Sequence, residues 1–207
     1  MIHYRYHKGR EGEPLFILLH GTGGDEESLL PLVSYLNPHA NVLALRGQIS
    51  ENGALRFFKR HSEGQFDLLD LEERGKQLME ELLQFIKEHN LSTDDTVLIG
   101  FSNGSNMAIN LLLRDGSPFK RGILFAPMYP IDTNTLKESK EDTSVFISMG
   151  RLDPLVPLNQ SQKVIREFQT RHAQVSSYWV KNHDITLDSL KAAHRWLSEN
   201  QKPSARF

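Results

Sequence analysis

The stretch from Thr96 to Asn106, with the sequence TVLIGFSNGSN, constrains the fold of this chain more than any other segment. Val97-Leu98-Ile99 is a short apolar run of the kind that a buried central strand requires. Gly100-Phe101-Ser102-Asn103-Gly104 follows, and the residues after it have helical spacing. A glycine–serine turn can simply join a strand to a helix. Between these two elements, however, the pattern predicts a tight, strained turn that presents Ser102, with glycines where Cβ atoms would clash.

Length and composition limit the classes of protein to which this chain can belong. The chain of 207 residues suits one domain with one sizeable core, over residues 1–207. Its formal charge of −2 gives no reason to expect a nucleic acid as a partner. The absence of cysteine excludes disulfides, thiolate metal sites and a cysteine nucleophile. No apolar run approaches about 18 residues and no signal peptide is recognisable, so we expect no stable membrane insertion and a cytoplasmic location.

Predicted strands alternate with predicted helices along almost the whole chain. Apolar or alternating runs at 15–19, 41–45, 97–99, 121–126, 144–149 and 176–180 indicate strands, and residues 2–7 indicate an edge or second strand. Amphipathic patterns at 66–90, 157–172 and 186–200 indicate helices. The segment 46–65 is polar and irregular, as functional loops often are. The order of elements predicts an α/β fold with a mostly parallel central sheet flanked by helices.

Reactive residue types follow four of the predicted strands. These are Thr22 in the turn His20-Gly21-Thr22, and then Ser102, Asp153 and His183. Because ligand sites in parallel α/β sheets form at the carboxyl ends of strands, we expect these residues to converge. In that arrangement His183 would act as the base for the Ser102 hydroxyl, and Asp153 would orient the imidazole. The backbone N–H groups of Thr22 and Asn103 would then stabilise an oxyanion.

Other assignments of the same residues are less favoured. Asp184 could orient the base in place of Asp153, although an adjacent residue rarely reaches its neighbour's imidazole correctly. Asp153-Pro154 could be only a turn initiator. His20 is expected to shape the turn below Thr22 rather than to act chemically. No histidine has metal-ligand spacing, so we expect no metal.

With these residues in view, the chain resembles the α/β-hydrolase superfamily, and within it the phospholipase/carboxylesterase group that includes acyl-protein thioesterases. The matching stretches are LLHGTGGDEESLLPL, GFSNGSNMA, GRLDPLVP and the His183 segment. The segment LRGQISENGALRFFKR, with EGQFDLLDL after it, resembles a bacterial branch of small carboxylesterases, some of which are associated with quinone or hydroquinone stress.

The resemblance implies a hydrolase of carboxylic esters or thioesters that uses no cofactor. No separate cap domain fits within this length, since the strand-to-helix connections are mostly short. It carries Ser102, Asp153 and His183 onto the catalytic triad, and Thr22 and Asn103 onto the oxyanion hole. The sequence departs from the family pattern at two positions. Asn182 precedes the histidine where glycine is usual, and Asn103 follows the serine where glutamine is common.

Residues that could contact the substrate lie in the segment 46–65 and after later strands. We expect the following to contribute to a shallow pocket for small to medium acyl groups: Arg56, Phe57, Phe58, Met128, Leu155 and Val156. The alternative for the segment 46–65 is that it only packs on the surface.

The leading interpretation is therefore a serine carboxylesterase acting on a small-molecule ester or thioester. A thioesterase or lysophospholipase would use the same residues, because the triad does not encode the leaving group. A hydrolase-fold binding protein without activity is a third alternative, although it would have no physical reason to retain all three residues. A protective role against quinone-like aromatics would have to be hydrolytic or adduct-related, and nothing in the sequence favours peptide hydrolysis. The sequence leaves the oligomeric state open, with a homodimer as one alternative.

Overall fold

The computed structural model describes residues 2–200 and consists of a large central sheet flanked by helices. The elements in chain order are β1 (Tyr4–His7), β2 (Leu15–Leu19), α1 (Leu30–Leu36), β3 (Asn41–Leu45), β4 (Ile49–Glu51), β5 (Ala54–Arg56), β6 (Arg60–Ser62), β7 (Gln65–Phe66), α2 (Leu68–Glu88), β8 (Thr96–Phe101), α3 (Asn103–Leu113), β9 (Arg121–Phe125), a 3₁₀ turn (Thr133–Thr135), β10 (Ser144–Gly150), α4 (Leu158–Gln169), β11 (Gln174–Val180) and α5 (Leu187–Glu199).

The central sheet has seven strands in the order β1-β3-β2-β8-β9-β10-β11. β1 pairs antiparallel with β3, and all the other pairs in the sheet are parallel. β2, β3 and β9 are buried along their whole length, because helices cover both faces of a parallel sheet. The predicted α/β architecture is confirmed.

The alternation of side chains along the strands divides the core into two clusters. Leu15, Ile17 and Leu19 of β2 belong to the cluster that includes buried residues of α2, α3 and α4. Phe16 and Leu18 belong to the other, which includes residues of α1 and α5. The helices therefore lie in two layers, one on each face of the sheet. Among residues 2–200, no helix combines the length and the apolar character that crossing a bilayer would demand.

The segment 46–65 differs from the irregular loop that its polarity predicts. It contains two small antiparallel hairpins, β4–β5 and β6–β7. In the first hairpin, Glu51 pairs with Ala54, and the two residues between them have positive φ angles of 51° at Asn52 and 87° at Gly53. Two left-handed residues in a two-residue loop form a type I′ turn, for which Asn-Gly is the preferred sequence. That dipeptide is the signal that predicts this hairpin.

Candidate active site

Ser102 lies on the tight turn that the sequence predicts. β8 ends at Phe101 and α3 begins at Asn103, so Ser102 alone connects the strand to the helix. Its φ of 50° and ψ of −111° are unusual for a residue with a side chain. A strained conformation of this kind persists only where the surrounding structure holds it, and it is characteristic of functional sites.

Close backbone contacts hold the turn in place. A Cβ atom at Gly104 would lie 1.9 Å from the carbonyl oxygen of Leu19 in the adjacent strand, and one at Gly100 would lie 2.6 Å from the backbone nitrogen of Ser105. The N–H of Ser102 donates to the carbonyl oxygen of Phe125 at 2.9 Å. The strand and the helix therefore approach each other as closely as two glycines allow, and the position of Ser102 is fixed from both sides.

His183 and Asp153 form a hydrogen-bonded pair after the last two strands of the sheet. The His183 Nδ1 to Asp153 Oδ2 distance is 2.7 Å, and the side chains are 13% and 1% exposed, respectively. The other Asp153 oxygen accepts N–H groups of Leu155 at 2.8 Å and Val156 at 2.9 Å. Since a carboxylate only accepts, Nδ1 carries the proton and Nε2 is left as an acceptor.

The neighbours of His183 do not share its role. Asp184 is exposed, and the imidazole is bonded to Asp153 instead. Asn182, which stands where glycine is usual, is not among the residues with positive φ in the part of the chain from 2 to 200. The turn before His183 therefore does not require a left-handed residue in this chain.

A cavity of about 270 Å³ opens at this edge of the sheet. Of the residues that the sequence singles out, its wall contains Thr22, Arg56, Ser102, Asn103, Met128, Leu155, Val156 and His183. Sequence reasoning did not single out the remaining wall residues, which are Arg60, Glu63, Gly64, Phe66, Phe101, Asn106 and Ala126. The wall is thus mixed, with apolar side chains and a small set of polar and charged groups.

Phe57 and Phe58 are not in this wall, contrary to the expectation that they contact the substrate. Their side chains are 4% and 0% exposed and belong to the core cluster. The Phe57 ring lies 4.8 Å from the His20 ring, and the Phe58 ring lies 5.4 Å from that of Phe66. After Arg56 the chain turns inward, so the two rings anchor residues 46–65, the hairpin segment, to the core.

The two residues assigned to the oxyanion hole follow different strands, and both are bonded to the hairpin segment. The Thr22 hydroxyl oxygen accepts a hydrogen bond from Arg56 Nη1 at 2.5 Å. Next to it, the Gly23 N–H donates to the Leu55 carbonyl at 2.9 Å. Asn103 is the first residue of α3, where backbone N–H groups have no partner within the helix.

His20 connects the Thr22 turn to the start of the hairpin segment. Its Nδ1 donates to the carbonyl oxygen of Gly21 at 2.6 Å, which makes Nε2 the acceptor for the Gly47 N–H at 2.9 Å. Burial, as the largest influence, lowers the pKa of His20 and favours the neutral ring that this arrangement needs. His20 is absent from the cavity wall, in keeping with the turn-shaping role predicted for it.

Arg56 and Arg60 share one carboxylate beside the cavity. Arg60 Nε lies 3.0 Å and 2.9 Å from the two Glu51 oxygens, and Arg56 Nε lies 3.5 Å from one of them. Hydrogen bonding to Arg60, as the largest influence, lowers the pKa of Glu51. Among residues 2–200, no group of three or more histidine and acidic side chains is arranged to hold a metal ion.

Known proteins with this architecture cover almost the whole chain. The family model described as phospholipase/carboxylesterase matches residues 6–201. MhqD of Bacillus subtilis (strain 168), which carries the name of a hydrolase, is 37% identical over 195 residues, covering 94% of this chain and 96% of that protein. The crystal structure of the Bacillus cereus carboxylesterase is 35% identical, with a TM-score of 0.91 and coverage of 96% of this chain and 94% of that one. The structure of YahD with malic acid is 31% identical, also with a TM-score of 0.91, and covers 97% of this chain and 100% of that one.

These matches agree with the overall fold described above. The chain belongs to the phospholipase/carboxylesterase family of α/β-hydrolases and is a carboxylesterase-type hydrolase.

Proposed function

We propose that this hydrolase cleaves carboxylic esters of small to medium acyl chains through a triad of Ser102, His183 and Asp153 and a covalent acyl-enzyme. The observation that carries the proposal is the 2.7 Å hydrogen bond from His183 Nδ1 to Asp153, which leaves Nε2 as an acceptor in a cavity whose wall also contains Ser102.

In the first half of the reaction, Ser102 Oγ attacks the ester carbonyl carbon while His183 Nε2 takes the hydroxyl proton. Asp153 stabilises the imidazolium that forms and keeps the ring in the required orientation. Because Asp153 Oδ1 is held by two backbone N–H groups, Oδ2 remains aligned with His183 throughout. The tetrahedral intermediate then collapses, the C–O bond to the alcohol breaks, and His183 returns the proton to the leaving oxygen.

The negative oxygen of that intermediate needs donors that are already in position. We assign the backbone N–H groups of Thr22 and Asn103. The N-terminal end of α3 supports this assignment, because its free N–H groups and the helix dipole favour negative charge there. In the second half, a water molecule deprotonated by His183 attacks the acyl carbon, and Ser102 leaves with its proton restored.

The size of the cavity supports small to medium acyl groups. A volume of about 270 Å³ is at the low end for ligand pockets, so a long acyl chain would have to extend into solvent. Met128, Leu155 and Val156 supply apolar wall for a short chain. Thioesters remain a second substrate class for the same groups, because acyl transfer to Ser102 is the same step.

The proposal is tested with p-nitrophenyl acetate, butyrate, octanoate and palmitate, comparing wild type with Ser102→Ala. We expect Ser102→Ala to lower kcat by about 10³-fold or more with its circular dichroism spectrum unchanged. Ser198→Ala, which changes an exposed serine on α5, is the matched control and should retain wild-type activity.

Turnover that depends on Ser102 and is highest for acetate or butyrate supports the proposed chain length. A maximum at octanoate or beyond would overturn the chain-length part and favour lipid-derived acyl groups. If no ester or acyl thioester is hydrolysed in a Ser102-dependent way, the triad proposal itself fails.

A further inference from the structure

Arg56 is a buried cation in the wall of the proposed active site. It is 2% exposed and is among the largest fully buried side chains in the described part of the chain. Charged side chains are almost never this deeply buried unless each polar group is paired. The partners of Arg56 therefore indicate whether the guanidinium serves the fold alone.

The partners of Arg56 account for only two of its three nitrogens. Nε donates to the carbonyl oxygen of Phe58 at 3.2 Å, and Nη1 donates to the Thr22 hydroxyl at 2.5 Å. Nη2 is buried and has no hydrogen-bond partner in the structure. A side chain with a purely structural role would be expected to have this donor satisfied, because leaving a buried donor unpaired is destabilising.

The charge of Arg56 is also only loosely paired. Arg56 and Arg60 are both in the cavity wall, and Glu51 is the one carboxylate that pairs with either of them among residues 2–200. Glu51 is closer to Arg60, since it approaches Arg60 at 2.9 Å and Arg56 at 3.5 Å. Glu63 is a further wall residue, but it is exposed and therefore screened by solvent. Of the two arginines, Arg56 is therefore the less closely paired with a carboxylate.

Arg56 is also close to the reaction centre. Through Nη1 it contacts Thr22, the residue to which we assign one of the two oxyanion donors. Burial, the largest influence, lowers the pKa of Arg56 to about 10, so the guanidinium still carries its charge at neutral pH. A guanidinium in this setting is well suited to recognise a carboxylate, because its planar geometry matches the two carboxylate oxygens.

From the unpaired buried Arg56 donor and the loose pairing of its charge beside Thr22, we propose that the site prefers esters that also carry a carboxylate. The inference rests on the proposed esterase function and specifies its substrate class. The carboxylate could belong to the acyl part, as in a half-ester of a dicarboxylic acid, or to the alcohol part. Either source would supply an acceptor and a closely paired negative charge for Arg56.

The first test compares kcat/KM for p-nitrophenyl hydrogen adipate with that for p-nitrophenyl hexanoate, in which a methyl group replaces the far carboxylate. We expect the wild type to favour the adipate half-ester by about 10-fold, the range of a charge-assisted hydrogen bond. 4-Acetoxybenzoate against phenyl acetate repeats the comparison with the carboxylate on the alcohol part. A preference in one pair shows whether the carboxylate belongs to the acyl part or to the alcohol part. If neither pair shows a preference while the hexanoate ester is still hydrolysed in a Ser102-dependent way, the proposal is overturned.

Variants assign the preference to Arg56. Arg56→Gln should reduce the ratio of the two kcat/KM values to about 1, whatever happens to the hexanoate rate, and Arg56→Lys should retain part of the ratio. Arg166→Gln removes an exposed arginine from α4 and should leave the ratio unchanged. An unchanged ratio in a folded Arg56→Gln would overturn the assignment.

Two measurements on protein that retains Arg56 test the proposal even if the Arg56 variants do not fold. Adipate should inhibit wild-type butyrate hydrolysis competitively, with a Ki at least about 10-fold below that of adipamide. Calorimetric titration of adipate and adipamide into Ser102→Ala tests the same preference without catalysis. Equal binding of the two compounds overturns the carboxylate preference, whereas loss of Ser102-dependent turnover on every ester overturns only the esterase proposal.

Discussion

The side-chain oxygen of Asn103 accepts a hydrogen bond of 2.8 Å from the backbone N–H of Phe57. This bond connects the first residue of α3 to the segment that carries Arg56 into the cavity wall. Asn103 is 3% exposed, so the bond is shielded from water. The residue after the nucleophile therefore has a structural task for its side chain in addition to the role we propose for its backbone N–H.

Replacing Asn103 with alanine would leave the Phe57 N–H buried without an acceptor. We expect the free energy of unfolding to fall by about 1–3 kcal/mol and KM to rise, because the neighbouring Arg56 would lose its fixed position. Urea denaturation and ester hydrolysis measure the two effects. Asn159→Ala, at an exposed position of α4, is the control. Wild-type stability and KM in Asn103→Ala would show that the bond contributes nothing.

Replacing Asp153 with asparagine should lower kcat by about 10²–10⁴-fold with little loss of stability. The amide oxygen can still accept the N–H groups of Leu155 and Val156, but an NH₂ group beside His183 Nδ1 would favour the other tautomer. Nε2 would then carry the proton and could not accept one from Ser102. Asp184→Asn should retain activity close to wild type. The opposite ranking of the two variants in ester hydrolysis would move the orienting role to Asp184.

Gly104→Ala should be severely destabilising, because its Cβ would lie 1.9 Å from the Leu19 carbonyl oxygen. The Leu19 oxygen is backbone of a buried strand, and the backbone of α3 fixes the Cβ position, so neither can move away cheaply and we expect a loss of about 3 kcal/mol or more. Gly116→Ala is an informative comparison, since Gly116 has a φ of 76° but nothing within 4 Å of its Cβ position. That variant should lose only about 1–2 kcal/mol from backbone strain. Equal losses in chemical denaturation would argue against the steric explanation.

The ionisation of Glu26 makes the stability of the protein depend on pH, and the pKa of Glu26 is lower than that of an ordinary glutamate. Arg46 donates to its carboxylate at 2.5 Å and 2.7 Å, and these bonds are the main reason that the pKa of Glu26 falls to about 2. Since the folded-state pKa lies below the unfolded-state value of about 4.5, the stabilisation is complete above that value and is lost as the pH falls towards 2.

Urea denaturation of wild type and Glu26→Gln from about pH 6 to pH 3 tests this linkage. We expect the free energy of unfolding of wild type to decline more steeply than that of the variant. Glu27→Gln, which removes an exposed carboxylate paired with Arg5, should decline in parallel with wild type. Parallel curves for wild type and Glu26→Gln would contradict the expectation.

The sequence predicted the sheet and the pairing of Asp153 with His183 because both depend on short-range signals. Each strand is a local apolar run, and the carboxyl ends of parallel strands necessarily share one edge of the sheet. Residues placed directly after those strands therefore converge, whatever lies between them in the chain. The strained Ser102 turn was predictable for a similar reason, since its two glycines lie within two residues of it.

The surroundings of Arg56 were less predictable. Phe57 and Phe58 follow it in the chain, but their side chains point into the core. An apolar pair in a polar segment can line a pocket or pack in the core, and the sequence does not distinguish the two. The burial of Arg56 depends on Thr22 and on Glu51, neither of which the sequence pattern connects to it. In this segment, the Asn52-Gly53 dipeptide is the local sequence signal that predicts a hairpin.

Besides the Arg56 side-chain bond to Thr22, three bonds join the hairpin segment to the rest of the site through backbone atoms of the segment alone. These are the Gly47 N–H to His20, the Leu55 carbonyl to Gly23, and the Phe57 N–H to Asn103. Substitutions of the segment's own side chains leave such bonds intact, because every residue except proline supplies the same groups. Selection can therefore alter the residues that meet the substrate while the nucleophile stays where it is. In this chain, the choice of ester can therefore change without a change in the reaction.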